Sequence, residues 1–81
     1  MEHKHTEKYI ALGLNIAFYR KKKGLTQEAL AERIGISRTH MSNIEAPNGR
    51  TGLSLDVLID IASALDVPIS ELFNFRGVNG K

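Results

Sequence analysis

The stretch from Thr26 to Glu45, TQEALAERIGISRTHMSNIE, decides how this chain folds. Thr26 is a good N-cap, because its hydroxyl can accept an orphan N–H from the first turn of a helix. After Gln27, Leu30, Ala31 and Ile34 recur at helical spacing and give that helix one apolar face. Gly35 can turn left-handed at no steric cost, which ends the helix. Ser37 then caps a second helix, reaching Glu45, whose apolar side is only Met41 and Ile44. With Gly35-Ile36 as the whole connection, the two helices must cross steeply, as in a helix-turn-helix. Ala31 is small enough to permit that approach, and Ile36 plugs the angle between them. Arg38, Thr39, His40, Ser42 and Asn43 are left facing outward, a surface rich in donors and poor in acids. A short helix presenting such a face suits the major groove of DNA.

Upstream, residues 8–23 predict one long helix. Leu12, Ile16 and Tyr19 form its core stripe at i, i+4 and i+7. Ile10, Leu14 and Phe18 make a second apolar set on another side. Either the N-terminal segment or the C-terminal tail folds over that set, or a partner meets it; covering by the chain itself is the expectation. The basic run Lys21–Lys23 suits the helix C-terminus and Gly24 stops it. Downstream, APNGRTGL (46–53) reads as a loop, with Pro47 ending the third helix. Ser54 caps a fourth helix carrying Leu55, Leu58, Ile61, Ala62 and Leu65, with Asp56 near its positive end. Pro68 fits the first turn of a short fifth helix ending near Asn74 and anchored by Ile69, Leu72 and Phe73. Phe75 is surplus to a monomer core. The expected fold is all-α: five helices in one domain over residues 8–76, between flexible ends at 1–7 and 77–81.

Length and composition bound the function. Eighty-one residues make one small domain, and 42% hydrophobic content argues against global disorder. There is no cysteine, no apolar run near the roughly 18 residues of a membrane span, and no apolar signal region in MEHKHTEKY. A cytoplasmic protein is expected. His3 and His5 form an H-x-H pair lacking a third ligand, so neither metal nor cofactor is expected. No nucleophile–base–acid set stands at a recognisable spacing, and His40 lies on an open face, so an enzyme is not expected. The net charge of +2 is uninformative, but its distribution is not. Lys4, Lys8, Arg20 and Lys21–Lys23 make the front of the chain basic, whereas Asp56, Asp60, Asp66 and Glu71 make the back acidic. A polyanion would meet the front half.

With these residues in hand, the chain resembles the Cro/repressor-type (Xre) helix-turn-helix family over roughly residues 9–74. The resemblance rests on L-G-x-x-I-x-x-x-R from Leu12 to Arg20, G-L-T-Q-E-x-L-A from Gly24, G-I-S-R at Gly35–Arg38, I-E at Ile44–Glu45, and the later S-L-D-x-L and A-L-D-V-P-I-S-E-L-F. It implies a five-helix, lambda-repressor-like domain that binds double-stranded DNA with its third helix. Arg38, Thr39 and Asn43 fall on the positions that reach base edges. Gln27 falls on the position that contacts a phosphate. His40 and Ser42 flank the base-reading set, and Lys22 and Arg50 are further backbone candidates. Arg20 matches an arginine that in relatives pairs with the glutamate here at Glu45, a structural ion pair. Two features depart from the family pattern. Ala29 stands where an acid often completes a capping box, and the 46–53 loop is about two residues longer than expected.

Two functions compete. One is a sequence-specific transcriptional regulator acting as a homodimer on a two-fold related operator, because one domain makes too few base contacts for high specificity. Helix five and the tail, with Phe73, Phe75 and Val78, are the candidate dimer surface. The other is a protein-interaction module of the same fold, antitoxin-like or anti-repressor-like, without DNA readout. No small-molecule ligand or membrane partner is evident.

Overall fold

The computed structural model describes residues 5–47 and 53–75. Five helices follow in order: α1 (Thr6–Lys22), α2 (Gln27–Ile34), α3 (Arg38–Glu45), α4 (Leu55–Leu65) and α5 (Ile69–Leu72). Among the described residues there is no strand. Three helices begin on hydroxyl caps: Thr26, Ser37 and Ser54 accept from the backbone N–H of Ala29, His40 and Val57. Each cap satisfies one of the donors that a helix start leaves unpaired. Thr26 does so without the acidic half of a capping box. Gly24 and Gly35 take φ of +82° and +78°, which lets α1 and α2 stop sharply and keeps both connections short.

The core is built from one face of each helix. Leu12 and Ile16 of α1, Leu30 and Ala31 of α2, Met41 and Ile44 of α3, and the α4 residues Leu58, Ile61, Ala62 and Leu65 are all buried around Leu72 of α5. Ile36 is half-buried and packs against this cluster from the α2–α3 turn. A residue the pattern leaves unremarked sets how close α1 comes to α3. A Cβ on Gly13 would lie 2.6 Å from the carbonyl oxygens of both Ile44 and Glu45. The C-terminal end of α3 therefore rests on bare α1 backbone.

Several expectations are corrected. α1 starts at Thr6, inside the segment read as a flexible lead, with Glu7 in a first turn whose positive end favours an acid. Tyr19 is half-buried, not sealed in the core, and its hydroxyl donates to Glu71 at 2.7 Å. Leu55 is 66% exposed, because the first turn of α4 borders an open cavity of about 330 Å³ that Phe73 and Tyr9 also line. Pro68 is the N-cap of α5 rather than its first turn, and α5 ends at Leu72. The early end follows from Asn15, whose amide donates to the carbonyls of Leu72 (2.9 Å) and Asn74 (3.1 Å). The chain turns there, leaving Phe73 47% exposed, while Phe75, read as surplus, packs against the core. Ile10, Leu14 and Phe18 are exposed, and no described residue covers them. Residues 1–4, 48–52 and 76–81, which include His3, Arg50 and Val78, lie outside the described residues.

Asp66 closes α4 with a left-handed backbone (φ +59°) and pairs with Lys23 at the end of α1. The hydrogen bond from Lys23, then its charge, holds the Asp66 carboxyl below its ordinary value of 3.8. A lowered folded-state value stabilises the fold above the unfolded-state value and loses that effect as pH falls through the lowered one. Asp66→Asn, which keeps tolerance of the left-handed turn, should therefore differ from wild type at neutral pH and low salt. In urea titrations that difference should vanish in acid below the ordinary carboxylate range, and in high salt. Gly13→Ala drives a methyl group into backbone that cannot swing aside, and should cost about 1–3 kcal/mol in the same titrations.

Candidate nucleic-acid interface

α3 is two turns long, and its sides are unequal. Met41, Ile44 and Glu45 are buried, while Arg38, Thr39 and Asn43 are exposed. His40 and Ser42 are half-buried. At 3.6 residues per turn, positions 38, 39, 42 and 43 share one arc. The structure thus brings Arg38, Thr39 and Asn43 together on one outward strip, with Ser42 set slightly back. The strip offers a guanidinium, two hydroxyls and an amide, and no acid. Arg can pair bidentately with guanine and Asn with adenine in a major groove.

The strip is aimed by a polar lock beneath it. Arg20 Nε donates to Glu45 Oε2 at 2.6 Å and Arg20 Nη2 to Glu45 Oε1 at 2.9 Å, a two-pronged pair. Both side chains are almost completely out of water, at 9% and 5% exposure. The third guanidinium nitrogen, Nη1, donates to the carbonyl of Leu25 at 2.8 Å, in the α1–α2 connection. Gln27 Nε2 adds a bond to Glu45 Oε1 at 2.9 Å. The last residue of α3 is therefore held directly by α1 and by the start of α2, while the segment joining them holds Arg20 in place. Arginine suits this place because its rigid fork can serve a carboxylate and a carbonyl together.

Gln27 is half-buried at the first position of α2, and its bond to Glu45 was not legible from spacing. That bond uses one amide proton, so the side-chain oxygen and second N–H can still serve an outside group. Lys22 is exposed at the end of α1, its ammonium 6.0 Å from the centre of the Phe18 ring. Arg50 lies outside the described residues. Among those described, no three His, Asp or Glu side chains gather to hold a metal ion, and no helix is long and apolar enough to cross a membrane.

An acid-free strip on the second of two consecutive short helices, with an arginine–glutamate pair behind it, fits a helix-turn-helix domain. The helix-turn-helix family model matches residues 16–72, and the chain belongs to that family, in its Cro/C1-type (Xre) branch. It is 36% identical over 63 residues to the HTH-type transcriptional regulator SinR of Bacillus licheniformis, covering 78% of this chain and 56% of that one. The chain thus spans little more than half the length of that relative. Two solved structures are similar over nearly their whole length. The restriction-modification controller protein C.AhdI from Aeromonas hydrophila has a TM-score of 0.72 at 34% identity, covering 80% of this chain and 96% of that one. The master regulator for biofilm formation SinR, in complex with DNA, has a TM-score of 0.69 at 35% identity, covering 78% and 98%.

Removing one member of a buried ion pair strands the other. Glu45→Ala should destabilise the fold by about 3–5 kcal/mol. Arg20→Met combined with Glu45→Leu should recover much of that loss, since the partnerless charge is gone. Chemical denaturation of Arg20→Met, of Glu45→Leu and of the two combined closes the cycle and measures the coupling.

Proposed function

We propose that this chain is a sequence-specific DNA-binding transcriptional regulator of the cytoplasm that lays α3 in the major groove. The observation that carries the reading is the outward strip of Arg38, Thr39 and Asn43, free of acids and rigidly backed. Arg38 and Asn43 read base edges, with Thr39 between them. Gln27 bonds a phosphate, assisted by the amide N–H groups at the start of α2, where the positive helix end favours an anion. His40 and Ser42 contact backbone or flanking bases, and Lys22 and Arg50 add phosphate contacts. The solved SinR complex holds DNA, and its similarity to this chain supports the same use here.

The regulator works as a homodimer on a two-fold related operator, because the few base contacts of one α3 are too few for a specific site. The α4–α5 side supplies the dimer surface: Phe73 is exposed there beside Leu55, with Ile59 one turn further along α4. The domain that does this begins with α1 at Thr6, and its chemistry is binding rather than catalysis.

Fluorescence titration of duplexes, after selection of bound sites from a random pool, tests the reading. The selected motif should be palindromic, and affinity should fall steeply with salt as counterions are released. Arg38→Ala should lose about 1–3 kcal/mol on the selected site and relax preference at one base pair. Lys22→Ala should weaken all duplexes alike and reduce the salt slope by about 1. Failure to bind any duplex at low salt would sink the DNA reading and leave a protein-interaction module of the same fold.

A further inference from the structure

Along α1, Glu7, Ile10, Leu14, Phe18 and Lys21 follow one another at steps of three, four, four and three. Steps of three and four keep side chains on one face of a helix. The five residues are one stripe, apolar in the middle, acidic at its N-terminal end and basic at its C-terminal end. Every member faces water: Ile10 is 40% exposed, Leu14 54% and Phe18 57%, and Glu7 and Lys21 are exposed too. Among the described residues neither charge has an ion-pair partner.

The spacing reads the same from either end, and the charges change sign about the centre. We infer that this stripe is an interface with a second copy of the chain, α1 lying antiparallel to the partner's α1 with Leu14 on the two-fold axis. In that arrangement Ile10 meets Phe18 of the partner subunit and Glu7 meets Lys21 of the partner subunit, and both contacts are made twice. A two-fold contact uses the same patch on both protomers and must be self-complementary; the stripe meets that requirement in both shape and charge. The two helix dipoles also run in opposite directions, which adds to the attraction. The chain's own tail, or an unrelated partner, would have no reason to match an acid and a base placed equally far from the centre. Phe73 sits on another face, so the pairing is separate from the dimer surface proposed above and requires no DNA.

The chain has no cysteine, so single thiols report the geometry without background. Under mild oxidation in the absence of DNA, Leu14→Cys should form a disulfide-linked dimer, its thiol facing its own copy across the axis. Ile10→Cys, which faces Phe18 of the partner subunit instead, should stay monomeric on the same non-reducing gel. In sedimentation, Lys21→Glu should raise the concentration needed for α1 pairing by roughly tenfold, by setting like charges opposite each other twice. Glu7→Lys combined with Lys21→Glu should restore it. All these positions are exposed, so the fold is not at stake, and circular dichroism checks that. Equal cross-linking at 10 and 14, no cross-linking at 14, or no recovery in the double reversal would each overturn the pairing. None of these readouts depends on whether the chain binds DNA.

Discussion

The structure depends on one buried contact, the fork of Arg20 closed on Glu45. The two residues come from the last turns of α1 and α3, which are 25 positions apart in sequence. Their union decides the angle at which α3 leaves the core. Two charges taken out of water destabilise the folded state unless their geometry is good and their remaining hydrogen-bonding groups are satisfied. Here they are well placed. The guanidinium uses its third nitrogen on Leu25, and the carboxylate takes a further N–H from Gln27. An apolar pair could fill the same volume, but it would lack the directional, two-pronged hydrogen bonds of this one. The lock therefore buries charge in order to aim a helix.

Gly13 completes that constraint from the other side. With no Cβ at this position, the carbonyls closing α3 settle on α1 backbone. Arg20 reaches Glu45 because α3 is already that close. Close approach and ion pair thus act on the same residue of α3, one limiting distance and the other rotation. The hydroxyl cap of Ser37 fixes the opposite end. An eight-residue helix, too short to be stable alone, is in this way held at both ends and along one side.

Most of this architecture was legible in the sequence, and the exceptions share a cause. The cap residues Thr26, Ser37 and Ser54 and the turn residues Gly24 and Gly35 act within three or four positions of themselves, so local chemistry announces them. The exposure of Phe73, the packing of Phe75 against the core and the early end of α5 do not arise locally. They follow from Asn15, whose side chain reaches carbonyls 57 and 59 positions away. An asparagine in mid-helix gives no sign of which distant carbonyl it will serve. Gln27 shows the same limit within the candidate site. Its place at the head of α2 could be read, but its bond to Glu45 depends on how α3 docks. The outward strip of α3 was legible because it is what remains once the apolar residues have been assigned.

The strip is a remainder in the energetic sense as well. Arg38, Thr39 and Asn43 are exposed, and neither the core cluster nor the lock includes any of them. Exposed positions free of caps and buried pairs change stability little when substituted. Orientation resides in Arg20, Glu45, Gln27 and Gly13, whereas the exposed Arg38, Thr39 and Asn43 take no part in the hydrogen bonds of that lock. A domain divided in this way can change its exposed face without altering how it folds. Met41 and Ile44, buried beneath that face, are where a change of volume would be felt by the fold. Position and surface chemistry are separate physical problems here, one solved beneath the helix and the other left open on top of it.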